Sequence, residues 1–189
     1  MTKNIMIVGV GGQGSLLASK LLGHLLTQQG YDVKVSEVHG MSQRGGSVVT
    51  YVKFGDSVYS PVIDKGEADV IVSFELLEAA RYVSFLKPDG KIVVNTQQID
   101  PMPVITGAAV YPEELVEKMR AEGISVDAVD CLDIARKAGT DKVVNIVLMG
   151  RLSNYFDFPE DIWLSAIEAV VPPKTIEMNK KAFSMGRAK

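Results

Sequence analysis

The sequence predicts a three-layer α/β domain, with a mostly parallel sheet, helices on both faces and a helical C-terminal segment. Three observations carry this reading. Short apolar runs of strand length alternate with patterns of helical period, and that alternation implies a mostly parallel sheet. A glycine-rich turn stands directly behind the first apolar run. The last third of the chain is helical in pattern and broken at prolines. With 189 residues, 47% of them hydrophobic, the chain has ample material for one core.

The elements follow in order. Residues 4–10 form an apolar run of the kind that makes a buried parallel strand. Residues 15–29 carry leucines at 16, 17, 21, 22, 25 and 26, which is helical spacing, and Gly30 fits the stop. Residues 32–38 are a second strand and 47–54 a third, turned by Gly55-Asp56. A buried strand is predicted at 69–74 and a helix from Glu75 to about residue 85. Lys87-Pro88-Asp89-Gly90 reads as a turn, with a strand at 91–95 behind it. Pro101 and Pro103 mark an irregular connection, and Pro112 stands at the start of a helix over 111–122. A strand at 125–130 leads into a helix at 131–137. Residues 141–155 give the longest apolar helical pattern. Helices at 159–170 and 174–184 flank the Pro172-Pro173 break, and this C-terminal third packs back on the sheet or extends to a partner.

Composition excludes some classes. The formal net charge is −3, where a nucleic-acid binder would be basic. No apolar run has membrane length, and the N-terminus lacks the pattern of a secretory leader, which points to a cytoplasmic protein. The single cysteine, Cys131, can form no internal disulfide and cannot hold an iron–sulfur cluster. The two histidines, His24 and His39, lack paired metal-ligand spacing, so no metal site is expected.

Two glycine-rich loops hold the candidate functional residues. In Gly9-Val10-Gly11-Gly12-Gln13-Gly14 the glycines make a tight strand-to-helix turn whose backbone can approach an anion. The same pattern begins a dinucleotide fingerprint, and Glu37 lies where a ribose-binding acid would stand. A tight turn with no ligand of its own is a third reading. Gln13 brings a polar amide to this turn, poised to hydrogen-bond something other than a dinucleotide. The second loop, His39-Gly40-Met41-Ser42-Gln43-Arg44-Gly45-Gly46, sets Arg44 between glycines in a polar run. A planar, permanently charged guanidinium suits a carboxylate or a phosphate. Glu75, at a strand end, stands either where ligands gather in α/β sheets or as a helix-starting acid.

Together the two loops resemble the gamma-type domain of the 2-oxoacid:ferredoxin oxidoreductases. The His-Gly-Met-x-Gln-Arg-Gly-Gly form is similar to the indolepyruvate branch, as are Ser73-Phe74-Glu75 and Asn145-Ile146-Val147-Leu148-Met149-Gly150. The likeness covers residues 1–189 as a single gamma-type domain, with a C-terminal helical extension at about 156–189. It implies a smaller subunit that works only with a larger one carrying thiamine diphosphate and 4Fe–4S clusters. The pair would decarboxylate an arylpyruvate oxidatively, reduce ferredoxin and pass the acyl group to coenzyme A. Under that resemblance Arg44, Gln43 and His39 are the expected catalytic set. Gly11, Gly12, Gln13, Gly14, Gly45, Gly46 and Glu75 are the expected cofactor-binding set; no cofactor is assigned to this chain by itself, and coenzyme A is the candidate, with a phosphate at the Gly11–Gly14 turn. A nicotinamide-dependent reductase and a non-enzymatic nucleotide-binding module are the alternatives.

Overall fold

The computed structural model describes residues 2–39 and 46–188. Among these residues six strands make one sheet. They are β1 (Lys3–Val10), β2 (Asp32–His39), β3 (Ser47–Gly55), β4 (Ala68–Ser73), β5 (Leu86–Asn95) and β6 (Ser125–Val129), and the order across the sheet is β2-β3-β1-β4-β5-β6. β1, β4, β5 and β6 run parallel, with Ile7 opposite Val72 and Val93 opposite Asp127. β3 is antiparallel to both its neighbours, from Lys3↔Phe54 to Val10↔Ser47 on one side and Asp32↔Gly55 to His39↔Val48 on the other.

This insertion of β3 between β1 and β2 has a simple cause. Only residues 40–46 separate β2 from β3, whereas a parallel crossover needs about a dozen residues, so β3 must return beside β2. The more apolar strand takes the inner place. Val48, Val49 and Val52 of β3 are buried, while β2, with Asp32, Lys34 and Glu37, lies at the edge where charge is tolerated.

Eight helices surround the sheet among the described residues. Ile5 and Ile7 of β1 face a layer built from α1 (Ser15–Gln28), α5 (Cys131–Ala138), α6 (Val144–Leu152), α7 (Glu160–Val170) and α8 (Ile176–Arg187). Met6 and Val8 face the other way, toward α2 (Leu76–Arg81) and α4 (Leu115–Ala121). The remaining helix, α3 (Met102–Ile105), stands outside both cores. The C-terminal third packs back on the sheet layer. Trp163 of α7 and Phe183 of α8 are fully buried, with ring centroids 5.5 Å apart.

α6 and α8 cross with their backbones in contact. A Cβ on Gly150 would lie 2.2 Å from the Phe183 carbonyl oxygen, and one on Gly186 would lie 2.1 Å from that of Val147. No larger residue fits at either place.

Some local expectations shift. Residues 87–90 belong to β5 rather than to a free turn. The register passes from Ala68↔Leu86 to Val70↔Lys91, so the extra residues are absorbed as an irregularity inside the strand. The helix expected over 111–122 begins only at Leu115, because the Tyr111 side chain is engaged elsewhere and Glu114 (φ 54°) turns the chain. The proline-rich connection contains α3, and the helix at 75–85 divides into α2 and a 3₁₀ turn at Val83–Phe85. The pattern at 141–155 divides into α6 with a 3₁₀ turn at each end.

Candidate site at the carboxyl edge of the sheet

The parallel strands deliver their carboxyl ends to one edge. β1 leaves toward α1 on one face and β4 leaves toward α2 on the other, so a topological switch point lies between them. Open α/β sheets take their ligands in such a crevice. The turn 9–14 forms one of its walls. Gly12 and Gly14 adopt positive φ angles of 97° and 87°, which side chains rarely tolerate. Gly14 also meets Asn145 at the start of α6, since a Cβ there would lie 2.6 Å from Asn145 Nδ2. α1 begins without a side-chain cap and without an acidic residue in its first turn. Its first N–H groups therefore present unneutralised positive potential at this edge.

Gln13 spans the crevice. Its Oε1 accepts from Val10 N at 2.7 Å and its Nε2 donates to the Phe74 carbonyl at 2.9 Å. The amide is bonded to the fold itself, tying the end of β1 to the end of β4. Glu37 does not take the ribose position. It pairs with Thr50 of β3, so a whole strand separates it from β1, a lateral distance of about 9–10 Å.

Glu75 is buried and caps α2. One carboxylate oxygen accepts from Glu78 N at 2.9 Å. The other accepts from Ile99 N at 3.1 Å and from the Tyr111 hydroxyl. That hydroxyl in turn accepts from Leu77 N at 3.0 Å, and burial together with the Glu75 bond pushes its pKa up. Of the two readings of Glu75, this geometry is that of the helix-starting acid.

Asn95 extends the lattice. Its Nδ2 donates to the Phe74 carbonyl at 3.2 Å, and its Oδ1 accepts from Cys131 N at 3.1 Å, tying the ends of β4 and β5 to the start of α5. Sequence reasoning passed over Asn95, although a polar residue closing an apolar strand was a usable signal. Tyr111 carried no such signal.

The exit of the second loop joins the first. Gly11 N donates to the Gly46 carbonyl at 2.9 Å. Ser47 Oγ then donates to Glu78 Oε2 at 2.5 Å and lies 3.2 Å from the Tyr82 hydroxyl. Burial raises the Glu78 pKa, against the pull of Ser47 and of Arg81, whose Nε is 3.6 Å away. His39 ends β2 opposite Val48. Gln43, Arg44 and Gly45 lie outside the described residues.

Among the described residues no group of three or more His, Cys, Asp or Glu side chains could hold a metal ion. Cys131 is buried, and burial pushes its thiol pKa up, so it is no ready thiolate. No helix among them is long and apolar enough to cross a membrane.

Comparison with known proteins places this geometry in context. The family model described as pyruvate ferredoxin/flavodoxin oxidoreductase matches residues 4–189. Indolepyruvate oxidoreductase subunit IorB of Thermococcus kodakarensis is 45% identical over 188 residues, covering 97% of this chain and 93% of that protein. A pyruvate oxidoreductase subunit from Thermotoga maritima superposes with TM-score 0.76 at 24% identity, covering 100% of this chain and 96% of that one. The 2-oxoglutarate:ferredoxin oxidoreductase of Magnetococcus marinus also matches with TM-score 0.76, at 18% identity. It covers 99% of this chain, but only 30% of that longer one.

Proposed function

The chain belongs to the pyruvate ferredoxin/flavodoxin oxidoreductase family, and from that premise we propose that it is the smaller subunit of an indolepyruvate oxidoreductase. The observation that carries the reading is the near-full-length likeness to an archaeal indolepyruvate oxidoreductase subunit. The geometry agrees with an accessory role. Gln13 bridges the ends of β1 and β4 at the switch point, and with one buried cysteine the chain cannot ligate a cluster.

The larger partner then carries thiamine diphosphate and iron–sulfur clusters, which supply decarboxylation and electron transfer when bound. The substrate is indolepyruvate or a related arylpyruvate, and the products are an acyl-coenzyme A and reduced ferredoxin. The complex works in the cytoplasm.

The chain's own residues shape the site. Gly11, Gly12, Gly14 and the start of α1 receive a phosphate of coenzyme A, and Gly45 and Gly46 of the second loop belong to the same cofactor-binding set. The fit rests on open space where a Gly12 side chain would stand and on the uncapped start of α1. Arg44, with Gln43 and His39, orients the substrate carboxylate or a coenzyme A phosphate. Gln13 and Glu75 hold the platform through the bonds described above.

Mixing this chain with its larger partner tests the reading. Arylpyruvate- and coenzyme A-dependent reduction of viologen should require both chains. Tight binding of NAD(H) by the isolated chain, with no such activity in the mixture, would overturn it.

A further inference from the structure

Between β5 and α4, residues 99–114 form a largely exposed segment, here termed the knob. Its tip is apolar and open, with Met102 64%, Ile105 65% and Val110 86% exposed. Three such residues in one short segment are more than the scattered apolar exposure usual on a surface.

The knob is firmly built. Pro101, Pro103 and Pro112 stiffen it. Ala109 N donates to the Pro103 carbonyl at 3.0 Å, and Ile105 N to that of Pro101 at 3.1 Å. Its base is fastened on both sides to the buried Glu75, which accepts from Ile99 N and from the Tyr111 hydroxyl. A segment needed only to link β5 to α4 requires neither an apolar tip nor this bracing. Preorganisation of this kind lowers the ordering cost of binding.

We infer that this knob is the anchor by which the chain docks into an apolar, basic-rimmed hollow on the larger subunit. Three observations select that occupant. First, Asp100, Glu113 and Glu114 flank the tip, and no Lys or Arg occurs between Lys91 and Lys118, so a basic rim is the complement. Second, a two-fold pairing of copies through this face would set those carboxylates against each other. Third, the same fold forms only 30% of a longer chain in one solved enzyme, so the fold also occurs joined to further parts of a single polypeptide. Permanent interfaces of this kind are more apolar than transient ones. The knob also springs from the edge of the sheet that carries the Gly11–Gly14 turn. Docking there would bring the larger subunit alongside that turn. The inference rests on the small-subunit reading above.

The test compares binding of the tagged larger subunit, under anoxic conditions, to the wild-type chain and to the triple variant Met102→Ser, Ile105→Ser, Val110→Ser. All three side chains are exposed, so thermal unfolding of the variant should match the wild type. Its affinity should fall at least about tenfold. Tyr59→Ser, which removes a 96% exposed ring from the connection between β3 and β4, should bind as the wild type. Wild-type affinity in the triple variant would overturn the inference and leave the small-subunit reading standing. So would a wild-type dimer that the triple variant makes monomeric while the complex still assembles. Failure of the wild-type chain itself to bind would contradict both.

Discussion

Gln13 donates its side-chain amide to the carbonyl oxygen of Phe74, 2.9 Å away, across the gap between β1 and β4. A one-residue bridge thus ties the carboxyl ends of β1 and β4 together at the switch point. Gln13→Ala would strip Val10 N of its side-chain acceptor, while Phe74 keeps the Asn95 bond. The expected loss is roughly 1–3 kcal/mol of folding stability, measured by denaturant unfolding. A variant as stable as the wild type would show that water replaces the bridge without cost.

The α6–α8 crossing gives a sharper test of packing. Gly150→Ala would push a methyl group into the Phe183 carbonyl. Overpacking of that severity costs about 3 kcal/mol, or a fall in Tm of roughly 6–12 °C by calorimetry. An unchanged Tm would mean that the two helices do not meet as described.

Glu78 links stability to pH. Its pKa is raised in the folded state by burial, so the folded chain holds a proton where the unfolded chain has released it. Stability from this group is therefore greatest below the ordinary carboxylate range and falls as pH rises through it. Glu78→Gln removes that dependence. Relative to the wild type, the variant should gain stability as pH rises above the ordinary carboxylate range, read by denaturant unfolding at each pH. A wild-type-minus-variant difference that does not move with pH would contradict the assignment.

The two glycine loops divide in their expected effects. Arg44→Ala should lower turnover of the assembled enzyme by about tenfold or more while leaving assembly intact, as expected where a charge-assisted contact worth about 1.5–3 kcal/mol is lost. Gly12→Asp, which sets a negative charge at the start of α1, should instead weaken coenzyme A binding with turnover at saturation less affected. Normal kinetics in the first variant, or unchanged coenzyme A affinity in the second, would remove that residue from the proposed site.

How far the sequence could be read depended on where each signal lay. The strand–helix order and the 9–14 turn were legible because their patterns are local. The inserted β3 was not, although the short 40–46 connection carried the information, because alternation alone does not state which strand lies beside which. Pro88-Asp89-Gly90 has the chemistry of a turn, yet the sheet absorbs it between Leu86 and Lys91. The Glu75–Tyr111 bond joins residues 36 apart and left no trace in any local pattern. Glu78 drew no reading from the sequence, and only the fold buries it beside Ser47.

The most direct measurement is an anoxic affinity purification of this chain from its native cells, followed by an assay for arylpyruvate- and coenzyme A-dependent viologen reduction. The account predicts a coloured complex with a larger iron–sulfur partner, active with indolepyruvate or a related arylpyruvate. A colourless chain purified alone, inactive in that assay and binding NAD(H) tightly, would contradict it.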